Sequence, residues 1–575
     1  MKTNPVRRLY LIIGLFVVLG CLLAGKLFFT QIIVGQNYRQ TAERQYRQTI
    51  DEQVFNRGSI FFETKDGTLI SGATLQSSFT LAVNPAQIDD QLETYETLKT
   101  IFPKLDEAQF MAKTSDEEDP YEEIQGGLTS EEATTVRALN LPGVQMIEKH
   151  YRAYPGGELA AHILGFMGYE GANTMKTGRY GLEKQYDKFL NKTNELTFST
   201  FLSELFSATV HSGLDSAEDR GDIVLTIEPS VQRFLEDELE TIMTKWQTRA
   251  IGGLIIEPKT GAILALAARP TFDPGEKQSD LTLLTNPLIE NVYEMGSVMK
   301  PITVASGLDA GVINKDTHYV DAGQLLIDGK LIGNYDGRAR GDVPIQEILN
   351  QSLNTGAIFI MKKIGQTNFK KYLDAFNLGH KTGIDLPGES SGLLGNLASN
   401  REVEFATASF GQGIALTPLN LAMALSTLAN NGELVQPRIV KRFRYETGLT
   451  EETPVKKVRQ VVKAETAKQV TEMLVKTVDE VLDGGRARLP HYLVAAKTGT
   501  AQIPRIDNQG YEINKYLHSF FGYFPASAPR FSVFLYALEP VGASYASQTL
   551  TTPFTNIAKF LLNYYQVAPD RLPNL

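Results

Sequence analysis

Seventeen consecutive residues, Leu9 to Gly25, carry no charge, and they lie between the basic pair Arg7-Arg8 and Lys26. With the apolar patch Leu27 to Val34 the run reaches the roughly 20 residues that a bilayer-spanning helix needs. Residues 9–34 are therefore expected to form one transmembrane anchor behind a tail of residues 1–8. Lys2, Arg7 and Arg8 hold that tail in the cytoplasm, while Lys26 snorkels to the far interface. Everything after residue 35 then lies outside the cell membrane. A cleaved signal sequence is the rival reading, because Val18-Leu19-Gly20-Cys21 resembles a lipoprotein cleavage box. Against it, Leu22, Leu23, Leu27, Phe28, Phe29, Ile32 and Ile33 stay apolar where a mature chain turns polar. Cys21 reads as a small hydrophobe within the span.

No later stretch is long and apolar enough to span, so the exterior is expected to be water-soluble. At 575 residues the chain is too long for one ordinary domain. Its net charge of −10 gives no electrostatic case for a nucleic-acid partner. A single cysteine excludes internal disulfides and thiolate zinc clusters, and the seven histidines contain no His-x-x-x-His pair. No metal and no cofactor is expected.

The exterior divides near residue 220, where Ser212 to Gly221 is polar and rich in Gly, Ser and Asp. Residues 36–220 mix short strand-like segments (Thr80 to Val83) with helical ones (Tyr95 to Phe102, Ser130 to Leu139), and the acidic run Asp116 to Pro120 reads as a solvated loop. From 221 to 575 the pattern changes. Asp222 to Ile227 reads as a strand, and Val231, Phe234, Leu235, Leu239, Ile242, Met243 and Trp246 recur at helical spacing after Pro229-Ser230. Leu254 to Glu257, the turn Pro258 to Gly261, and Ala262 to Leu266 make a hairpin. Leu493 to Ala496 and Phe531 to Ala537 are strand-like, and Ile345 to Ile364 and Pro418 to Ala429 are helical. Strands at both ends with helices between predict an α+β fold with a central antiparallel sheet flanked by helices.

Ser297-Val298-Met299-Lys300 is the only Ser-x-x-Lys in the chain. On a helix, positions i and i+3 share a face, which would set the Lys300 amine beside the Ser297 hydroxyl as the base a nucleophile needs. A helix start would also aim backbone N–H groups at a developing oxyanion. Ser352-Leu353-Asn354, the only Ser-x-Asn, follows 55 residues later, and Lys497-Thr498-Gly499-Thr500 follows 145 after that, behind an apolar strand. In this reading Ser352 relays a proton, Asn354 holds the acyl donor's backbone, and Lys497 supplies fixed positive charge. Gly499 lets substrate backbone lie close to the strand. Lys381-Thr382-Gly383 also spells the third motif, but its turn-rich surroundings mark a structural loop.

The ordered triple Ser-x-x-Lys, Ser-x-Asn, Lys-Thr-Gly is the motif set of penicillin-binding proteins and serine β-lactamases. Over nearly its whole length the chain resembles a class B penicillin-binding protein of the division type. Asn56-Arg57-Gly58-Ser59-Ile60 with Asp66-Gly67, Arg152-Ala-Tyr-Pro155, Ala161-His162-x-Leu164-Gly165 and Gly178-x-x-Gly-Leu-Glu183 resemble that family's pedestal signatures. Pro258-x-Thr-Gly261, Ser409-Phe-Gly-Gln-Gly413 with Thr417-Pro418, and Thr500-Ala-Gln502 resemble landmarks of its catalytic domain. Two positions depart from the pattern: Met295-Gly296 stands where Pro-Gly is usual, and Ile60 to Thr64 replaces the common Ile-x-Asp-Arg.

The resemblance implies an anchored peptidoglycan D,D-transpeptidase with an elongated pedestal at 36–220 and a catalytic domain at 221–575. Ser297 would attack the penultimate D-Ala carbonyl of a stem peptide, with neutral Lys300 as base and Ser352 as proton shuttle. Asn354 would orient the substrate amide, and Lys497, Thr498 and Thr500 would hold its carboxylate. The N–H groups of Ser297 and Thr500 would form the oxyanion hole, and β-lactams would acylate Ser297. It also implies partners: a SEDS-type glycan polymerase and other division or elongation membrane proteins. A D,D-carboxypeptidase, an elongation-type transpeptidase and a non-catalytic division scaffold remain as alternatives. A β-lactamase is disfavoured, because no Glu-x-x-Leu-Asn lies between Asn354 and Lys497.

Overall fold

Two runs, Ala250–Glu257 (β1) and Ala262–Arg269 (β2), are buried at nearly every position, as strands covered on both faces must be. In the computed structural model they form the expected hairpin, registered from Glu257 opposite Ala262 to Ile251 opposite Arg269. They continue a five-stranded antiparallel sheet with Ala495–Pro504 (β3), Tyr511–Phe524 (β4) and Phe531–Leu538 (β5), in the order β3-β4-β5-β1-β2. β3 is therefore an edge strand. The structure describes residues 56–571 apart from 117, 170–175, 193–219, 506, 508 and 509, together with 14, 16–20, 23, 25 and 26. Of the expected anchor at 9–34, residues 14, 16–20, 23, 25 and 26 are described, and Cys21 lies outside the described residues. No helix among the described residues is long and apolar enough to cross a membrane.

Along β5, Val533, Leu535 and Ala537 enter one apolar cluster while Phe534, Tyr536 and Leu538 enter another, the period-two alternation of a two-faced strand. The first cluster lies under Pro229–Trp246 (α1) and the C-terminal helix Ala546–Tyr564 (α6). α1 starts as its sequence directs, with Pro229 in the first turn and the Glu228 carboxylate accepting from Val231 N–H at 2.7 Å. Phe234 turns away from the strands to stack on Phe560 of α6, with centroids 4.1 Å apart. The other cluster holds Lys300–Asp309 (α2), Asn354–Ile364 (α3), Pro418–Ala429 (α4) and much of Ala464–Glu480 (α5). α4 is buried at every position, which explains why its sequence is mostly apolar, with only Asn420, Ser426 and Thr427 polar, and not amphipathic.

The chain separates by contacts into two compact units. The smaller takes in Leu75–Tyr151, where Asp90 caps Gln91–Ile101, Asp106 caps Glu107–Thr114, and Thr129 with Glu132 forms a capping box on Ser130–Leu139. These helices enclose Phe79, Leu81, Tyr95, Leu98, Phe110 and Val136.

The larger unit groups Arg57–Thr74 and Arg152–Lys192 with the described residues from Arg220 onward. The expected strand after residue 220 is Gly221–Leu225, and it joins none of the five central strands. It pairs in parallel with Ile60 and Phe61 and antiparallel with Val440–Tyr445. Three of the motif residues in this unit meet in one buried cluster. Glu183, fully buried, accepts from Arg57 Nε and Arg152 Nε at 2.6 Å each, and Arg57 also reaches Asp187 at 2.9 Å.

Candidate active site

Ser297 sits in one 3-10 turn, Gly296–Met299, that runs directly into α2. The turn is braced from below. Gly296 N–H donates to Gly411 O at 3.0 Å, and a Cβ on Gly411 would lie 2.2 Å from Gly296 O, so only glycine lets these two backbones meet. Ser519 Oγ donates to Met295 O at 2.8 Å from the adjoining strand β4. Ser297 remains partly exposed, and its backbone N–H is one of the first-turn donors that a helix start leaves without an intrahelical acceptor.

Lys300 opens α2 and is fully buried. Its Nζ donates to the Ser352 backbone carbonyl, to Ser352 Oγ at 3.2 Å and to Asn354 Oδ1 at 2.8 Å. No hydrogen bond joins it to Ser297 Oγ among the described residues. The i, i+3 spacing thus places serine and lysine on one turn, while the contacts of Lys300 are with the second motif. Burial, then the nearby charge of Lys497, drives the Lys300 amine well below the ordinary lysine range.

The helix expected from Ile345 to Ile364 is broken where the second motif falls. Gln346–Asn350 ends, Ser352 takes φ +54, and α3 begins at Asn354. A non-glycine residue held in the left-handed region stores strain, here exactly where a side chain must face two lysines. What enforces it is a buried support that the motif alone does not reveal. Asn334 Oδ1 accepts from the N–H groups of Asn354 and Thr355 at 2.9 and 3.2 Å, and Asn334 Nδ2 donates to the buried Asp321 at 2.9 Å. Thr355 Oγ1 also donates to Asp321, at 2.7 Å. Asn354 Nδ2 donates to Gly333 O at 2.8 Å, which leaves one N–H of that amide for a ligand.

Lys497 projects from β3 to the same hydroxyl, Ser352 Oγ, at 3.1 Å, and donates to Thr498 O at 2.9 Å. Burial pushes its amine down to about 7. A Cβ on Gly499 would meet Ser519 Oγ at 2.4 Å, Met295 O at 2.7 Å and Val298 N at 3.0 Å, so the missing side chain lets β3 press on the turn that holds Ser297. Strand alternation puts Thr498 and Thr500 on the other face, where Thr500 Oγ1 accepts from Ala546 N–H at 3.1 Å. A ligand added along the free edge of β3 would meet both faces.

Glu294 had no signal in the sequence. Its carboxylate accepts from Gly413 N–H and from Tyr511 OH, each at 3.0 Å, tying the start of β4 to the loop that braces Gly296. Burial raises it to about 7. The decoy Lys381-Thr382-Gly383 is a loop closed by Glu389, whose carboxylate takes the Thr382 and Gly383 N–H groups.

Residues 251–559 match the penicillin binding protein transpeptidase domain, and residues 54–201 match the penicillin-binding protein dimerisation domain. Stage V sporulation protein D of Bacillus subtilis is 29% identical over 98% of this chain and 87% of its own length. The peptidoglycan D,D-transpeptidase FtsI of Escherichia coli is 27% identical over 76% of this chain and 72% of its own. Among solved structures, penicillin-binding protein 3 of Mycobacterium tuberculosis, complexed with aztreonam, aligns with a TM-score of 0.64 at 27% identity, covering 74% of this chain and 92% of that one.

Proposed function

The chain belongs to the penicillin-binding protein transpeptidase family, and on that premise we propose that it cross-links peptidoglycan stem peptides through an acyl-enzyme on Ser297. The donor peptide adds to the free edge of β3 with its terminal carboxylate toward Lys497, Thr498 and Thr500. Bringing that carboxylate in raises the Lys497 amine again and restores its charge. Ser297 Oγ attacks the penultimate D-Ala carbonyl carbon as its proton passes to neutral Lys300. The N–H groups of Ser297 and Thr500 receive the oxyanion. As the tetrahedral intermediate collapses, the C–N bond to the terminal D-Ala breaks, and its nitrogen takes a proton delivered through Ser352. Asn354 holds the donor's amide with its remaining N–H. A neighbouring strand's amine then attacks the ester carbon, forms the cross-link and returns the proton to Ser297 Oγ.

The observation that carries this reading is the convergence of two buried lysines on one serine hydroxyl beside a nucleophile turn. β-Lactams, which mimic the D-Ala-D-Ala end, acylate the same serine. Residues 9–34 anchor the protein with its N-terminus in the cytoplasm, 36–220 raise the catalytic residues 221–575 above the membrane, and a SEDS-type polymerase supplies glycan strands. The role is in septal wall synthesis. Release of D-Ala from a pentapeptide substrate tests the activity: the full chain releases it with transfer to an added amine, and Ser297→Ala does not. Release by Ser297→Ala at the wild-type rate would contradict the proposal, and side-wall in place of septal localisation would contradict the division role.

A further inference from the structure

Two half-exposed aromatic rings meet above the motifs just described. Tyr335 directly follows Gly333 and Asn334, whose carbonyl and side-chain oxygens hold Asn354. Tyr545 directly precedes Ala546, whose N–H holds Thr500. The rings pack edge to face, with centroids 5.9 Å apart and planes at 81°, although Tyr335 is 60% and Tyr545 48% exposed. Each tyrosine is thus one or two residues from a backbone or side-chain group that fixes a different substrate-binding motif. Neither ring is part of the buried clusters of the domain. Large aromatics left this open are not there for the core, and their contact ties the Ser-x-Asn wall to the Lys-Thr-Gly wall.

We infer that Tyr335 and Tyr545 form a cover across the cleft that shields the Ser297 acyl-enzyme from water and so favours an amine acceptor over hydrolysis; this rests on the acyl-transfer reading above. Two reactions compete for the ester. In one, an amine nitrogen bonds to the acyl carbon, the Ser297 Oγ–C bond breaks, and the amine's proton ends on Oγ. In the other, water oxygen makes that bond and the products are a free carboxylic acid and Ser297. Excluding bulk water from a reactive intermediate suppresses the second without touching the groups that drive the first. Tyr335 and Tyr545 are positioning residues in this scheme, because they need not touch the reacting atoms.

The test is the partition of a thioester or depsipeptide acyl donor between hydrolysis and transfer to D-alanine, measured as a product ratio in the full chain. Tyr335→Ala and Tyr545→Ala are expected to raise the hydrolysis-to-transfer ratio about five-fold, the order expected from losing one aromatic pair. Tyr335→Phe and Tyr545→Phe, which keep the rings in contact, are expected to restore the low ratio. Alanine variants that still consume the donor with the wild-type ratio would overturn the inference, as would Phe variants as hydrolytic as the Ala ones. A wild-type chain that forms no acyl-enzyme with the donor would overturn the acyl-transfer reading itself, and the inference with it.

Discussion

Lys300 and Lys497 approach one oxygen, Ser352 Oγ, at 3.2 and 3.1 Å from opposite elements, the start of α2 and the edge strand β3. Two buried amines share one hydroxyl, and the charge of Lys497 disfavours a proton on Lys300. The charge of Lys497 is one of the two causes that lower Lys300. Lys497→Met should therefore let the Lys300 amine rise toward its ordinary range. The limb of the acylation-rate profile that climbs as Lys300 loses its proton is expected to move to higher pH in that variant. Stopped-flow acylation by a chromogenic β-lactam across pH checks this, and an unmoved limb would remove the coupling.

The same pair makes stability depend on pH with a definite sign. Lys497 is lowered to about 7 in the folded protein, while the unfolded chain keeps an ordinary lysine. Between those values the unfolded state binds more protons, so the Lys497 contribution to stability rises with pH and is least favourable below about 7. Lys497→Met is expected to raise Tm most at or below pH 7, with its advantage over wild type shrinking toward pH 10. Calorimetry of both proteins at matched pH values reads the difference directly.

Ser352→Ala removes the one hydroxyl that links both lysines while keeping the backbone. Acylation is expected to fall by about 10²- to 10⁴-fold, the range for losing a positioned proton-transfer group. Binding of the intact β-lactam before acylation should change far less, and single-turnover kinetics separate the two.

Gly499→Ala tests whether β3 presses on the nucleophile turn. The added methyl has to displace Ser519 Oγ, Met295 O and Val298 N. Overpacking of this kind costs about 1–3 kcal/mol, so Tm should drop by several degrees and acylation should slow in the same variant. Wild-type acylation in a chain with an undisturbed Tm would contradict the packing account.

Glu183→Ala leaves the buried guanidinium groups of Arg57 and Arg152 without their shared carboxylate. Breaking a buried ion cluster by removing one partner costs about 3–5 kcal/mol. Chemical denaturation should show that loss, with a smaller one for Glu183→Gln, which still accepts hydrogen bonds.

The parts legible in the sequence were those with local causes. The β1-β2 hairpin, α1 and α4 followed from apolar runs, a proline start and a turn. The placing of Ser297 and Lys300 on one turn followed from their four-residue spacing. What escaped depended on contacts far apart in the chain. Asp321 and Asn334 support Asn354, and Tyr511 meets Glu294 across more than 200 positions. The break at Ser352 was hidden because a positive φ on serine leaves no trace in apolar periodicity. A strand glycine such as Gly499 signals close approach without naming what approaches, so the neighbours Ser519, Met295 and Val298 left no trace in the sequence. Segments 57–74 and 152–192 grouped with the residues from 220 onward, the first of them through pairing of Ile60 and Phe61 with a strand more than 150 residues downstream, a link no local pattern carries.

The central claim is that Ser297 is the acylated nucleophile. Intact-mass measurement of the full chain after incubation with benzylpenicillin tests it most directly. One penicilloyl adduct per chain, mapped by peptide mass to the segment holding Ser297 and absent from Ser297→Ala, is the result this account predicts. No adduct on the wild-type chain, or an adduct that persists in Ser297→Ala, would contradict it.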